Sequence, residues 1–311
     1  MSAYIDQHKE RFGVEPICRT LGIAPSSYYA RRARPPSARQ LRDGELVDEI
    51  HAARDGYRRV YGIRKTWREL SRRGVEAGRD RVGRLMRAEG LEGVRRGRRP
   101  RTTTPDEAAA DRARDLVERR FVAEAPNRLW VADITYIRTY AGFVYLAFIL
   151  DVFSRKVVGW QIATHMRTEL VVDALEMAVA LRDLDGRLVA HSDRGSQFTS
   201  LRYTDRLDEL GIDPSVGSRG DAYDNAMAEA WVATFKAELV AGRRLPSFEA
   251  AEHETLQWIS FYNRERLHEE LGDIPPAEFE ERFRSPHHGS FGAVEPDRPA
   301  LVEGAPVGLG R

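Results

Sequence analysis

The first ninety residues place apolar side chains at helical spacing. Ile17, Cys18 and Leu21 follow one helical face, and Gly22 interrupts it. Pro25-Ser26-Ser27 then opens a second helix carrying Tyr28 and Tyr29. Residues 4–32 thus read as helix, glycine turn, helix, the outline of a helix-turn-helix. Three more helical patterns are predicted over 41–54, 63–73 and 79–89. Ile63, Trp67 and Leu70 share one face of the second, with Arg64, Lys65, Arg68, Arg72 and Arg73 elsewhere. Val82, Leu85 and Met86 form the apolar face of the third, which leaves Arg81, Arg84 and Arg87 free.

Beyond about residue 121 the period shortens. Residues 129–138, 143–153 and 156–164 are rich in β-branched and aromatic residues, with Ala141-Gly142 as a turn, and predict an antiparallel meander. An apolar helix follows over 168–182, then a strand over 187–192, a helix over 200–210 and a strand over 212–216. Three strands followed by helix, strand, helix, strand predict an α/β fold: a five-stranded mixed sheet with flanking helices. Further helices are predicted over 225–240 and 248–262. From residue 285 Gly, Pro and His dominate, as in a loose tail.

Charge adds a division that hydropathy does not show. The net charge is +1. Residues 1–105 nevertheless hold 25 Lys and Arg against 13 Asp and Glu, and the remainder holds 24 against 35. A basic front and an acidic back suggest a polyanion-binding module joined to something else. Basic helices suit sequence-independent phosphate contact. The basic Gly/Pro/Thr run that contains Arg95, Arg96, Arg98 and Arg99 reads as a linker able to track a phosphate backbone. The single cysteine, Cys18, excludes an internal disulfide and a multi-cysteine zinc site. The longest uninterrupted apolar run, residues 143–150, is far short of the roughly 20 residues of a membrane span, and a reducing cytoplasm is the expected compartment.

The candidate chemistry lies in three carboxylates. Asp133 sits inside an apolar strand, in Trp130-Val131-Ala132-Asp133-Ile134-Thr135-Tyr136, where a lone charge is costly unless paired or metal-bound. Asp193 ends a strand, in His191-Ser192-Asp193-Arg194-Gly195-Ser196-Gln197-Phe198. Glu229 sits one turn into a helix that starts near Asp224-Asn225. Together they offer a hard oxygen donor set suited to Mg²⁺ or Mn²⁺. Two such ions would activate the attacking oxygen and stabilise the leaving oxygen of a phosphodiester.

These residues carry a resemblance. Asp193 and Glu229 have 35 residues between them, and Lys236 follows Glu229 by seven. The pattern resembles the catalytic core of DDE transposases and retroviral integrases, of RNase H-like fold. More narrowly, the three acid motifs resemble the OrfB product of the IS-three family of bacterial insertion sequences. So does Tyr262-Asn263-Arg264-Glu265-Arg266-Leu267-His268-Glu269-Glu270-Leu271-Gly272 followed by Pro275-Pro276, and Tyr61-Gly62-Ile63-Arg64-Lys65-Thr66-Trp67 with residues 79–91 resembles the family's upstream helix-turn-helix segment. The resemblance implies a transposase that cuts at terminal inverted repeats, exposes a 3′-hydroxyl and joins it to another phosphodiester. Asp133, Asp193 and Glu229 would hold the metals, and Lys236, two helical turns beyond Glu229, would contact phosphate. The implied partners are double-stranded DNA, further copies of the chain on that DNA, and an upstream OrfA product fused or associated. The implied setting is the bacterial nucleoid.

On this reading the domains are a helix-turn-helix-like segment (1–34), a basic helix-turn-helix domain (40–92), a linker (93–120), an RNase H-like integrase core (121–284) and a disordered tail (285–311). Other residues keep two readings. Asp224 and Asn225 are helix caps that aim Glu229, or metal ligands. His191 approaches the site, or is a structural histidine. Gly195, Ser196 and Gln197 offer donors to phosphate, or form a plain turn. Tyr223 and Trp231 stack on an unpaired base, or pack in the core. Asp151 is a turn or salt-bridge residue. Two rival functions remain: a catalytically silent DNA-binding regulator derived from a transposase, and a nuclease acting on RNA–DNA hybrids.

Overall fold

The computed structural model describes residues 2–56, 59–95, 117, 121–193, 195–217, 226–240 and 242–285. The predicted tail from 286 onward, most of the basic linker including Arg96, Arg98 and Arg99, and Asp224, Asn225 and Tyr223 lie outside them. The chain forms two compact units, residues 1–95 and 96–311.

The first unit is all helical. It comprises α1 (Ser2–Phe12), α2 (Val14–Thr20), α3 (Pro25–Ala33), α4 (Ala38–Gly56), α5 (Ile63–Arg72) and α6 (Arg79–Ala88). The expected first helix is divided in two at Gly13, whose φ of 78° is left-handed and ends a helical run. Ile5, Ile17, Cys18 and Tyr28 form one small core. Leu46, Ile50, Ala53, Leu70, Val82, Leu85 and Met86 form another, joining α4, α5 and α6. The apolar faces read from the sequence for α5 and α6 are the ones buried here.

One buried charge in this unit left no periodic signal. Arg54 donates to the carbonyls of Tyr61, of Arg59 (3.2 Å) and of Glu92 (2.8 Å). It ties the loop before α5 to the segment after α6, where Val94 N–H donates to Val60 O at 3.1 Å. A guanidinium suits this task because its planar fork carries five donors and no acceptor.

The second unit contains a five-stranded sheet in the order β3-β2-β1-β4-β5. Its strands are β1 (Leu129–Thr139), β2 (Gly142–Asp151), β3 (Val157–Ala163), β4 (Val189–Ser192) and β5 (Asp213–Val216). β1, β2 and β3 pair antiparallel, and β1–β4 and β4–β5 pair parallel. The helices α7 (Thr168–Leu181) and α8 (Leu201–Glu209) supply the crossovers that parallel pairing needs. Then come α9 (Ala226–Phe235), a π-helical turn (Lys236–Val240), α10 (Phe248–Arg264), a short 3₁₀ turn (Glu269–Leu271) and α11 (Pro276–Arg284). This is the mixed α/β sheet that the strand and helix patterns predict.

Each face of the sheet has its own core. Trp130, Ala132, Ala147, Ile149 and Val158 meet Leu170, Val171, Leu175 and Ala178 of α7 and Leu207 of α8. The approach is close at Gly159, where a Cβ would collide with the carbonyl oxygen of Ala174 and lie 2.8 Å from Ala178 Cβ. Gly159→Ala is therefore expected to destabilise the protein by about 3 kcal/mol through forced separation of β3 and α7. Urea unfolding of the variant checks this, and a loss below about 0.5 kcal/mol would contradict it. On the other face, Phe148 of β2 stacks on Trp231 of α9 at 3.9 Å between centroids, and Trp231 stacks on Phe235 at 5.2 Å. Trp258 and Tyr262 of α10 complete this aromatic core. Trp231 is only 3% exposed, so of its two sequence readings core packing is the one realised.

A buried ionic network closes the end of the sheet. Arg182, just after α7, reaches both oxygens of Glu280 on α11 at 2.7 and 2.8 Å and donates to Asn127 at 2.7 Å. Its guanidinium also lies 3.5 Å from Asp151. Asp151 accepts from the backbone N–H of Asn127 at 2.7 Å and of Ser154 at 3.1 Å. Asp151 is thus both a turn and a salt-bridge residue, and fully buried. Helix α11 was not foreseen in the sequence. Its role there is carried by one buried glutamate, which hydropathy alone cannot distinguish from a solvated one.

Candidate active site

Strand pairing brings the first two acids together. The parallel register sets Val131 beside His191 and Ala132 beside Ser192. Asp133 and Asp193 are the next residue on each chain, so they leave the paired strands side by side. Asp133 is also the cross-strand partner of Phe148, on which α9 packs through Trp231. Opposed residues of an antiparallel pair share a face. Asp133 therefore projects toward the face of the sheet that α9 covers, and Glu229 lies in the first turn of α9.

Electrostatics show the same convergence. The Asp133 carboxyl is pushed up to about 7, first by burial, then by the charge of Asp193, with Glu229 adding to it. The N–H of Ile134, which donates to Asp133 Oδ1 at 2.7 Å, and the charge of Lys236 oppose the rise. Asp193 is exposed, and its Oδ1 accepts from the N–H of Gly195 at 3.0 Å. The charges of Asp193 and Glu229 thus both act on Asp133, and that of Lys236 opposes them. Among the described residues no three Asp, Glu, His or Cys side chains are arranged so as to hold a metal ion. The donor set nevertheless fits a hard divalent cation, which would relieve the repulsion that raises Asp133.

Lys236 stands beside these acids. Its Nζ is 4.2 Å from the centre of the Tyr136 ring. The sequence predicts one continuous helix over 225–240, but α-helical geometry ends at Phe235 and Lys236 opens a π turn. Such turns arise as single-turn bulges and gather at functional sites. Glu238 within this turn is held by Arg266, whose Nη2 donates at 2.8 Å and Nε at 3.0 and 3.1 Å. Both side chains are about nine-tenths buried. The Tyr262–Gly272 motif thus has a structural use: its arginine fixes the turn that carries Lys236. Sequence inspection singled out the motif but not this pairing.

His191 is buried, with Nδ1 2.9 Å from Ser215 Oγ and its ring 5.6 Å from that of Phe121. These contacts are those of a structural histidine. The 195–200 segment is a turn in which Gly195 O accepts from Phe198 N at 3.1 Å and Thr199 N at 3.2 Å. Gln197 donates to Met166 O at 3.0 Å.

In the helical unit the basic residues are less free than their sequence suggests. Arg81 and Arg84 both bind Asp43 of α4, at 2.8 and 2.7 Å, which corrects the expectation of unpaired arginines on α6. Asp43 is distant in sequence, so helical periodicity within α6 cannot reveal it. Lys65 lies 5.5 Å from the centre of the Tyr61 ring, and Arg68 lies 4.6 Å from that of Trp67. Arg64 is half-buried, and Arg95 is exposed, 4.0 Å from Glu92.

Comparison with known proteins follows the same division. Residues 40–99 match an HTH-like domain, and residues 123–222 and 210–276 each match an integrase core domain. Over 270 residues the chain is 48% identical to a protein of Mycobacterium tuberculosis (strain ATCC 25177 / H37Ra) described as a putative transposase for insertion sequence element IS986/IS6110. That match covers 84% of this chain and 96% of the relative. The chain belongs to the IS-three family of insertion-sequence transposases. Another relative in Shigella sonnei, a transposase for insertion sequence element IS629, is 47% identical over 288 residues, 91% of this chain and 96% of that one. Among solved structures, the HTLV-2 integrase catalytic core domain in complex with magnesium (trimeric form) aligns with 51% of this family member and 99% of that chain, at 16% identity and a TM-score of 0.42. Asp133 and Asp193 fall in the first core match, and Glu229 and Lys236 in the second. No helix among the described residues is long and apolar enough to cross a membrane.

Proposed function

We propose that this chain is a DDE-type transposase that cuts and joins DNA at the terminal inverted repeats of its insertion sequence. One observation carries the reading: the β1–β4 register sets Asp133, within β1, beside Asp193, just past β4, with the charge of Glu229 acting on Asp133. In this family such a site faces phosphodiesters, and no serine or tyrosine nucleophile is needed.

Asp133, Asp193 and Glu229 would hold two Mg²⁺ or Mn²⁺ ions. When bound, such ions polarise a phosphoryl oxygen and stabilise the attacking and leaving oxygens. The chain itself supplies position. The β1–β4 register positions one carboxylate on a strand and one just past the end of the next, and the stacked Phe148, Trp231 and Phe235 fix the helix that bears the third. Lys236 adds a cation where a non-reacting phosphate oxygen can be held. Such placement lowers the barrier by aligning the attacking 3′-hydroxyl with the phosphorus before reaction.

The helical unit would bind duplex DNA. Arg64, Lys65 and Arg68 of α5, Arg81 and Arg84 of α6, and Arg95, Arg96, Arg98 and Arg99 beyond it supply the phosphate contacts. The Asp43 pairing leaves further N–H donors on Arg81 and Arg84, since each guanidinium has five. Further copies of the chain on paired ends, and an upstream OrfA product, would complete the assembly.

Labelled duplexes carrying the inverted repeats that flank the gene test the proposal. With Mg²⁺ or Mn²⁺ the protein, alone or fused to the upstream frame, is expected to cut and join them. Asp193→Asn is expected to lower joining by about 10³-fold or more, in the range that loss of one preorganised charge-stabilising group produces. DNA affinity without metal should stay within about twofold. Binding without cleavage in every form would instead support the silent regulator, and preferential cleavage of RNA–DNA hybrids would support the nuclease.

A further inference from the structure

The hairpin of β1 and β2 extends past the acids and exposes an unusual set of side chains. β1 pairs with β4 only as far as Ala132, yet continues to Thr139. Beyond the acids, the side that β4 vacates is taken by residues 244–245. Leu245 N–H donates to Arg138 O at 3.1 Å, and Leu245 O accepts from Tyr140 N–H at 3.1 Å. Tyr136, Tyr140 and Phe143 are 43%, 75% and 51% exposed. The rings of Tyr136 and Phe143 meet edge to face at 5.3 Å. Arg138 lies 5.9 Å from the Phe143 ring centre, and Lys236 lies over Tyr136. Arg138 and Arg244 are exposed, and among the described residues neither forms an ion pair.

Exposed aromatic rings interleaved with cations suit one kind of polymer. A row of arginines and a lysine complements a phosphate backbone, and open aromatic faces take unpaired bases whatever their sequence. An acidic or purely apolar protein partner matches only one half of that pattern. Lys236 links the patch to the acid site, since its charge acts on Asp133 and its Nζ lies over the Tyr136 ring.

We propose that this hairpin end binds unpaired DNA leaving the acid site. Arg138, Arg244 and Lys236 contact its phosphates, and Tyr140 and Phe143 stack on its bases. The inference rests on the proposed DNA-joining function for the direction of the strand, but its binding test does not require chemistry.

The test uses the full chain in EDTA, with a blunt duplex and the same duplex bearing an eight-thymidine single-stranded extension. The parent protein is expected to bind the extended duplex roughly tenfold more tightly. Tyr140→Ala with Phe143→Ala should abolish that preference and leave blunt-duplex affinity unchanged. Arg138→Ala with Arg244→Ala should weaken the preference and reduce the salt dependence of extended-duplex binding by about 1.4 in slope. Iododeoxyuridine in the extension should photocrosslink within residues 136–145. Melting temperatures should fall by no more than a few degrees, since only the Phe143 contacts with Tyr136 and Arg138 are lost from these largely exposed side chains. No preference in the parent, or crosslinks confined to other segments, would overturn the proposal. So would variants that keep the preference but lower the protein's assembly size in solution, which would mark the patch as a contact between copies. A retained preference with no joining of inverted repeats would leave the patch standing and reject the transposase chemistry.

Discussion

Asp133→Asn is expected to raise the melting temperature of the metal-free protein at pH 8 while abolishing DNA joining. The Asp133 carboxyl titrates near pH 7 in the folded chain, against about 4 when unfolded. A carboxyl raised in this way favours the folded state below pH 4, and that contribution is lost as pH rises through 7. At pH 8 the protein therefore bears the cost of a desolvated carboxylate facing two others. Asparagine keeps the shape and removes the charge. With screening at this half-buried position discounted, the gain is on the order of 2 kcal/mol, or roughly 4–8 °C. At pH 4 the parent and variant should melt together. Scanning calorimetry in EDTA at the two pH values checks the sign, and an unchanged or lower melting temperature at pH 8 would contradict it. On the proposed mechanism the same variant is expected to lose about 10³-fold or more in joining, because the carboxylate that destabilises the fold would be one that the reaction uses.

Arg182→Ala has the largest expected effect on folding. Arg182 is the cation that both Asp151 and Glu280 face inside the protein. Burial raises Asp151 despite that neighbour. Glu280 stays below its ordinary range because Arg182 and the nearby Lys156 and Ser154 outweigh its own burial. Removing the guanidinium leaves two buried acids with one lysine at the edge and deprives Asn127 of its donor. Breaking such a set from one side costs about 3–5 kcal/mol. The deficit should shrink below pH 5, where Glu280 can take up a proton in the variant. Arg182→Lys should fall between, since an ammonium keeps the charge but cannot reach both Glu280 oxygens and Asn127 in one plane. Urea unfolding at pH 7.5 and pH 4.5 measures all three proteins. A loss under 1 kcal/mol for Arg182→Ala would show that the network is not what closes α11 onto the sheet.

The parts of this molecule that were legible in its sequence are those fixed by local pattern. Strand alternation, helix periodicity and the Ala141-Gly142 turn gave the order of the sheet elements, since each signal lies within a few residues. Asp133 stood out because an acid disturbs the apolar strand around it, and Asp193 and Glu229 because of their motifs and the 35 residues between them. What stayed hidden depends on residues far apart in the chain. Asp43 meets Arg81 and Arg84 across 38 and 41 residues, and Glu280 meets Arg182 across 98. The π turn at Lys236 is set by Arg266, 28 residues beyond Glu238. Periodicity does not encode such partners, so α11 and the arginine clamps could be seen only once the chain was folded. Gly13 was hidden for another reason: one left-handed residue divides a helix without altering its apolar spacing.

The central claim is that Asp133, Asp193 and Glu229 form one cation-holding site. Mn²⁺ titration of the full chain tests it most directly, followed by the loss of the free-ion electron paramagnetic resonance signal. Asp133→Asn, Asp193→Asn and Glu229→Gln are measured beside the parent. Saturable binding in the parent that weakens by about tenfold or more in each of the three variants is the predicted result, since each would remove one charged ligand from a shared site. Binding that is unchanged in any one of them would contradict the claim and detach that carboxylate from the site.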